Sequence, residues 1–468
     1  MTLRLTDTRT GEQRPFEPIE PGVVRMYVCG PTVYDDAHIG HAMSAIVFDV
    51  LRRYLEYSGY RVIHAQNFTD VDDKIIQRAA TLGIEPRELA ERLIEDWLRD
   101  TARLNVKPAT IYPRATQEID TIIEMIKGLI AEGHAYAVEG GDVFFRVDSF
   151  PGYGKLSHRS LDEMMAGARI EVDPRKENPM DFALWKGAKP GEPAWDSPWG
   201  PGRPGWHIEC SAMIYRHLGD RIDIHGGGAD LIFPHHENEI AQSEAFTDRE
   251  PLARFWVHNG LLQLGGEKMS KSLGNLITIR ELLERGDGEA FRFLVLSSHY
   301  RSPLTFSDEA MDSARRGLAR LQSAVRGFDP ATAPATAPDH ALARIADETR
   351  AEFRAAMDDD LNTPVALSHL FELARAINRE RDAGAPAAAV AYAQSVLKEL
   401  AGVLGLTLET TTQRTDEAIE PFVDLLLEVR AELRKQRLWD LADRIRVRLG
   451  ELGIRVEDTA QGSTWRRE

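Results

Sequence analysis

Two short strings carry residue types suited to phosphate chemistry. Pro31 to His41 reads PTVYDDAHIGH, with two imidazoles, His38 and His41, flanking Gly40. It follows an apolar run and precedes a helical pattern, so it sits where a strand hands over to a helix N-terminus. Exposed N–H groups and the helix dipole favour phosphate there. Imidazoles can donate to phosphate oxygens as charge builds in a transition state. Gly40 lets a flat base or a ribose approach the backbone. The second string, Lys268 to Ser272, reads KMSKS after the turn Gly265-Gly266. Two ammonium groups three residues apart on a glycine-flanked loop suit a mobile clamp on a polyphosphate. Either string alone could be a solvated loop.

A third constellation could hold a metal. Cys29 ends the first apolar run, Cys210 lies in GWHIECSAM, and PHHENEI carries His235, His236 and Glu239. His235 and Glu239 are four apart, hence on one face of a helix. Two thiolates, an imidazole and a carboxylate make a plausible zinc set. No C-x-x-C spacing supports it, and His236 competes with His235 for the role.

The elements that must position these groups follow from periodicity. Val23 to Cys29 reads as a strand. Ile46, Val47, Val50, Leu51, Tyr54 and Leu55 recur at helical spacing, Gly59 closes the helix, and Tyr60 to Ala65 reads as a second strand. Strand, helix, strand makes a βαβ unit and predicts a parallel sheet. From about 115 to 205 the pattern changes to a helix, a β-like piece at Asp142 to Val147 and a Gly/Pro/Trp-rich stretch, Lys189 to Pro204. We read this as an insertion between two halves of a core. Core strands then return at Ile222 to His225 and Phe255 to Leu264. Beyond about 310 the chain is Ala-, Arg-, Leu- and Glu-rich with helical periodicity. It is broken at Pro330 to Pro338 and near Ala383 to Ala389, and a further boundary is marked by the polar Thr410 to Glu417.

The chain has 468 residues, 57 basic against 74 acidic side chains, and two cysteines. A net charge of −17 argues against a non-specific nucleic-acid coat, though a basic stripe can sit on an acidic body. From Arg430 to Glu468 the balance reverses, with ten basic residues against seven acidic. Two cysteines exclude a disulfide-stapled scaffold. No signal peptide or membrane span is expected, and the cytosol is the expected location.

HIGH and KMSKS together, about 230 residues apart, resemble the paired signatures of class I aminoacyl-tRNA synthetases. The resemblance narrows with MYVCGPTVYDDAHIGHA, NFTDVDDKII, NPMDFALWK, GRPGWHIECSAM, DIHGGGADLIFPHHENEIAQSEA and EKMSKSLGN, which look like cysteinyl-tRNA synthetases. It covers roughly residues 20 to 310, and weaker similarity continues through DDDLNTPVAL to GSTWRR. One departure is KIIQ after Asp73, where relatives often end on a basic residue. The resemblance implies an α/β, Rossmann-like catalytic domain over 1–310 with a connective insertion at about 115–205. A helical anticodon-binding bundle at 311–405 and a small C-terminal tRNA-binding domain at 415–468 would follow.

By the same resemblance the metal is Zn²⁺, held by Cys29, Cys210, His235 and Glu239, which selects His235 over His236. Thr69, Trp206, His225 and Asp230 would line the cysteine pocket. Gly40, His38, His41, Lys268, Ser270 and Lys271 would bind ATP, which Mg²⁺ accompanies, and the two histidines and two lysines would be catalytic. Arg434, Lys435, Arg437, Arg444, Arg446 and Arg448 offer phosphate contacts, and Trp439 and Trp465 could stack on bases. The implied partners are L-cysteine, ATP and tRNA(Cys), and the implied state is a monomer. A related ligase joins cysteine to an amino sugar with the same core. It lacks the roughly 150 residues that follow the core here. A zinc hydrolase using Glu237 or Glu239 as base would leave KMSKS unexplained, and a non-catalytic tRNA-binding paralogue would leave both signatures unused.

Overall fold

The computed structural model describes residues 2–160, 163, 173–265, 267–268, 276–409, 411–459 and 462–467. The chain opens with an antiparallel hairpin, β1 (Arg4–Asp7) and β2 (Glu12–Pro15). These strands are short and polar, and no sequence pattern announced them. β3 (Val23–Val28, VVRMYV) is buried at five of its six residues, as a strand covered on both faces must be. Helix α1 (Ile39–Tyr57) lays its apolar stripe on the sheet and returns the chain to β4 (Arg61–Gln66), parallel to β3. α2 (Asp73–Leu82) and α3 (Pro86–Arg103) follow.

The insertion has its own core. α4 (Ile119–Ala131) packs on an antiparallel sheet of β5 (Ala135–Ala137), β6 (Val143–Phe145), β7 (Phe182–Gly187) and β8 (Gly202–Pro204). Ile122, Phe145, Leu184 and Trp185 are fully buried between them. Lys186 and Arg203 of this sheet both grip Asp73 at the start of α2. The chain then rejoins the core through α5 (Trp206–Leu218), β9 (Ile222–Gly228), α6 (Glu237–Thr247) and β10 (Ala253–Asn259).

The central sheet runs β10-β9-β3-β4, all parallel. The chain leaves β3 towards β4 on one side and comes back to β9 on the other. This makes a topological switch point, where α/β sheets bind ligands at the carboxyl ends of their strands. Phe48 of α1 packs against Gly226, where a Cβ would lie 2.2 Å from its ring, so the strand there must be glycine.

The expected strand Phe255 to Leu264 is two strands. β10 ends at Asn259, and β11 (Leu262–Leu264) joins β12 (Glu267–Lys268) and β13 (Leu304–Phe306) in a separate sheet. The break falls at Gly260, whose Cβ would lie 2.3 Å from the Ser302 carbonyl oxygen. α7 (Ile279–Glu284) and α8 (Gly288–Leu296) lie between β12 and β13. α9 (Asp308–Ala324), α10 (Ala341–Asp358), α11 (Thr363–Asp382) and α12 (Ala387–Val403) complete a unit spanning Met1–Leu408. Buried Arg292 ties α8 to Asp49 of α1 at 2.8 Å and to the carbonyls of Leu104 and Leu404.

Glu409–Glu468 forms a second unit of α13 (Thr411–Lys435), α14 (Trp439–Glu451) and the hairpin β14 (Ile454–Thr459)–β15 (Gly462–Arg467). Val423, Leu427, Leu449 and Ile454 form its small core. The polar stretch expected to be a boundary, Thr410 to Glu417, falls at the start of this second unit and is helical from Thr411 onward.

Candidate active site

A cavity of about 370 Å³ opens at the carboxyl ends of β3, β4, β9 and β10. Each strand end supplies part of its wall: Cys29 and Gly30, Gln66, Gly228, and Asn259 with Gly260. The close fit is set by glycine, because a Cβ on Gly30 would lie 1.7 Å from the Asn67 carbonyl oxygen. Asn67 also accepts the Gly30 N–H through its side chain at 2.9 Å.

His38, Gly40 and His41 line this cavity at the N-terminus of α1. His38 is the N-cap. Its Nδ1 accepts the Gly40 N–H at 3.2 Å, and His41 Nδ1 accepts the His38 N–H at 3.3 Å. The two rings stack with centroids 3.8 Å apart. Burial lowers both from the ordinary imidazole range, His41 to about 3, with His38 adding to its shift. Both rings are therefore neutral at pH 7. Because each Nδ1 is an acceptor, each proton sits on Nε2, and neither Nε2 has a partner among the described residues. The arrangement is a pair of neutral N–H donors beside a helix N-terminus.

Cys29 lines the cavity, and Cys210, His235 and Glu239 are buried close behind it. Cys29 Sγ lies 3.9 Å from Cys210 Sγ and 3.6 Å from Glu239 Oε1. His235 Nε2 lies 3.5 Å from Cys210 Sγ and 3.1 Å from Glu239 Oε1. A tetrahedral zinc with ordinary bond lengths needs S···S near about 3.8 Å, S···N and S···O near about 3.5 Å, and N···O near about 3.3 Å. These four separations match those edges, and all four donors lie within 4.8 Å of one another. Burial pushes both thiols up, so a cation is needed to hold them as thiolates. Burial also lowers His235 to about 3, leaving it neutral and able to ligate.

A second overlapping group contains Cys29, His225, His236 and Glu239. Its contacts are those of hydrogen bonds. His225 Nε2 meets Glu239 Oε2 at 2.8 Å, and His236 reaches Cys29 Sγ at 3.3 Å while His258 holds its other nitrogen at 2.8 Å. His207 Nδ1 meets His235 Nδ1 at 2.9 Å. The first quartet is thus backed by a shell of imidazoles that orient it.

Of the four residues expected on a cysteine pocket, Trp206 and Asp230 line the cavity. Trp206 stacks on His235 with ring centroids 4.2 Å apart. Thr69 and His225 lie behind the wall. Thr69 donates to Glu209 at 2.7 Å, and His225 is fully buried against Trp256 and braces Glu239. Lys268 lies in β12, and its side chain, with Ser270 and Lys271, falls outside the described residues. Tyr34, Lys74, Trp97 and Asn259 line the cavity without having been singled out by sequence. NFTDVDDKII contained Lys74, but nothing in its spacing pointed at the cavity.

Residues 15–316 match the family described as tRNA synthetases class I (C) catalytic domain, and residues 352–409 match the DALR domain. The cysteine--tRNA ligase of Dehalococcoides mccartyi is 54% identical over 99% of both chains. That of Symbiobacterium thermophilum is 53% identical over the full length of both. The chain belongs to the cysteinyl-tRNA synthetase family. Solved structures place it in the same fold as other class I synthetases. Mycobacterium tuberculosis methionyl-tRNA synthetase with methionyl-adenylate superposes with a TM-score of 0.59 at 18% identity, covering 86% of this chain and 94% of that one. A LeuRS–tRNA–LeuAMS complex from Agrobacterium radiobacter K84 gives 0.61 at 11% identity, covering 84% and 85%. As in those synthetases, the cysteinyl-tRNA synthetase fold here joins a parallel-sheet core to a helical C-terminal region. No described helix is long and apolar enough to cross a membrane.

Proposed function

We propose that this chain activates L-cysteine with ATP and transfers it to the terminal ribose of tRNA(Cys), selecting cysteine by its sulfur. The observation that carries the selection is the thiol-rich quartet reached through Cys29, in the wall of the cavity that also holds the neutral His38–His41 pair.

In the first step a cysteine carboxylate oxygen attacks the α-phosphorus of Mg²⁺-bound ATP. A P–O bond forms, the bond to the bridging oxygen breaks, and pyrophosphate leaves. The Nε2–H groups of His38 and His41 donate to phosphoryl oxygens as charge builds on them. Gly40 leaves room for the nucleotide, and Lys268, Ser270 and Lys271 are assigned to the pyrophosphate. Asp230 faces the cavity and is assigned to the substrate ammonium, with Trp206 packing beside the side chain. In the second step a hydroxyl of the tRNA's terminal ribose attacks the adenylate carbonyl and AMP leaves. No protein nucleophile is needed, so positioning and charge stabilisation carry the catalysis.

Cys29, Cys210, His235 and Glu239 are the residues that would hold zinc. When bound, zinc supplies a soft Lewis-acid site that favours a thiolate over serine's neutral hydroxyl. The surrounding protein keeps the two thiols side by side, which calls for a reducing compartment such as the cytosol. Region 311–405 is assigned to the anticodon arm and region 415–468 to tRNA binding. The DALR match supports the first, and the exposed Trp439 supports the second.

The test is charging of tRNA with labelled cysteine, run beside cysteine-dependent ATP–pyrophosphate exchange. Both activities are expected. Exchange without charging would move the acceptor to a small molecule, and neither activity in folded, zinc-replete protein would overturn the proposal.

A further inference from the structure

The cavity wall carries an ammonium to which the reaction above gives no part. Lys74 lines the cavity, with its Nζ 5.3 Å from the centroid of the Tyr34 ring. It has no ion-pair partner among the described residues. The carboxylates around it are committed elsewhere. Asp72 accepts the backbone N–H of Lys74 at 2.9 Å as the N-cap of α2. Asp73 is held by Lys186 at 2.6 Å and by Arg203, both from the insertion. Asp35 pairs with Arg78 at 3.3 Å.

Lys74 also sits badly for helix stability. It is in the first turn of α2, where the dipole favours anions and opposes a cation. No ion pair offsets that cost. A cation that breaks a local rule with only an aromatic ring and no ion pair against it, while facing a cavity, is where functional constraint is expected. The donors nearest in role give it reason to be there. His38 and His41 are neutral donors, so the described wall otherwise meets phosphate with dipoles rather than with charge. An ammonium on a flexible stem is a suitable phosphate ligand as a point charge.

We infer that Lys74 contacts a nucleotide phosphate at this wall, supplied either by ATP or by the terminal nucleotide of the RNA acceptor. The inference rests on the cysteine-activating reading above and adds a substrate-binding residue to it.

The experiment compares Lys74→Met and Lys74→Arg with the parent in the full-length, zinc-loaded protein. Two rates are measured: cysteine-dependent ATP–pyrophosphate exchange across ATP concentrations, and single-turnover transfer from preformed adenylate to tRNA. Lys74→Met is expected to lower one of them about ten- to hundredfold, the size of a charge-assisted contact. Lys74→Arg is expected to retain most of that rate. Urea stability of Lys74→Met should be unchanged or higher, because the helix loses an unfavourable cation. A loss in exchange, seen in the KM for ATP, assigns the phosphate to ATP. A loss confined to transfer assigns it to the RNA. Both rates within twofold of the parent would overturn the inference, as would Lys74→Arg falling as far as Lys74→Met. Absence of cysteine-dependent exchange in the parent would instead remove the reading beneath it.

Discussion

His38 does two jobs with two nitrogens, and the two can be separated. Nδ1 caps α1 by accepting the Gly40 N–H at 3.2 Å, while Nε2 is left to donate into the cavity. Losing a side-chain cap costs about 1 kcal/mol of stability. Losing one preorganised donor to a developing oxyanion costs about 3–4 kcal/mol in the transition state, or roughly 10²- to 10³-fold in rate. His38→Ala should lose both. His38→Asn should lose only the second, because asparagine is among the best N-caps and its amide oxygen replaces Nδ1, yet it has no nitrogen at the depth of Nε2. The assays are urea unfolding and cysteine-dependent ATP–pyrophosphate exchange on the same preparations. The expected outcome is parent-like stability with exchange lowered at least about a hundredfold in His38→Asn. His38→Ala should be equally slow and about 1 kcal/mol less stable. If His38→Asn exchanges within threefold of the parent, the donor role is wrong. If His38→Ala is as stable as His38→Asn, the capping role is wrong.

Other consequences are open to direct measurement. His225→Phe removes the imidazole that bonds Glu239 Oε2 at 2.8 Å and should weaken zinc affinity about 10- to 100-fold in a chelator competition, while retaining the ring packing against Trp256. Gly30→Ala forces a Cβ to 1.7 Å from the Asn67 carbonyl oxygen, so β3 must shift; zinc content and solubility should both fall, and a well-folded, fully metallated variant would contradict the packing. Acid should destabilise the Met1–Leu408 unit, because burial lowers His41 and His64 to about 3. Below about pH 6.5 the unfolded chain takes up protons that these native rings refuse, so stability present above that pH is lost as pH falls towards 3. Each ring should cost about 1 kcal/mol between pH 6.5 and 5.5. Urea titrations across that interval that show no decline would refute the assignment of neutral, buried rings.

The βαβ unit was legible because VVRMYV and the stripe from Ile46 to Leu55 carry unmistakable periods, and the parallel sheet followed from their order. The hairpin β1–β2 was not, since RLTD and EQRP are only four residues each and mostly polar. The merged strand Phe255 to Leu264 hid its break because Gly260 is forced by a carbonyl forty residues later, a tertiary fact with no local signature. The thiol quartet is a similar case. Cys29 and Cys210 are 181 positions apart and meet only because β3 and α5 flank the same switch point. Their types suggested a metal, but residue spacing alone left His235 and His236 equivalent. In three dimensions the two diverge, one corner of the donor tetrahedron falling to His235 and the hydrogen bond to His258 falling to His236. The placement of Thr69 and His225 behind the wall depends on side-chain direction at strand ends, which the sequence does not encode locally. Both support the site through Glu209 and Glu239.

The most direct test of the central claim, that this cavity recognises cysteine by its sulfur, is ATP–pyrophosphate exchange with cysteine and with serine, on zinc-loaded and chelator-stripped protein whose fold is verified by circular dichroism. Exchange with cysteine is expected at least about a thousandfold above serine in the zinc-loaded protein, beyond the roughly hundredfold that pocket shape gives between such near-isosteres. This selectivity is expected to be lost on stripping. Equal exchange with serine, or undiminished selectivity in the metal-free folded protein, would contradict that claim.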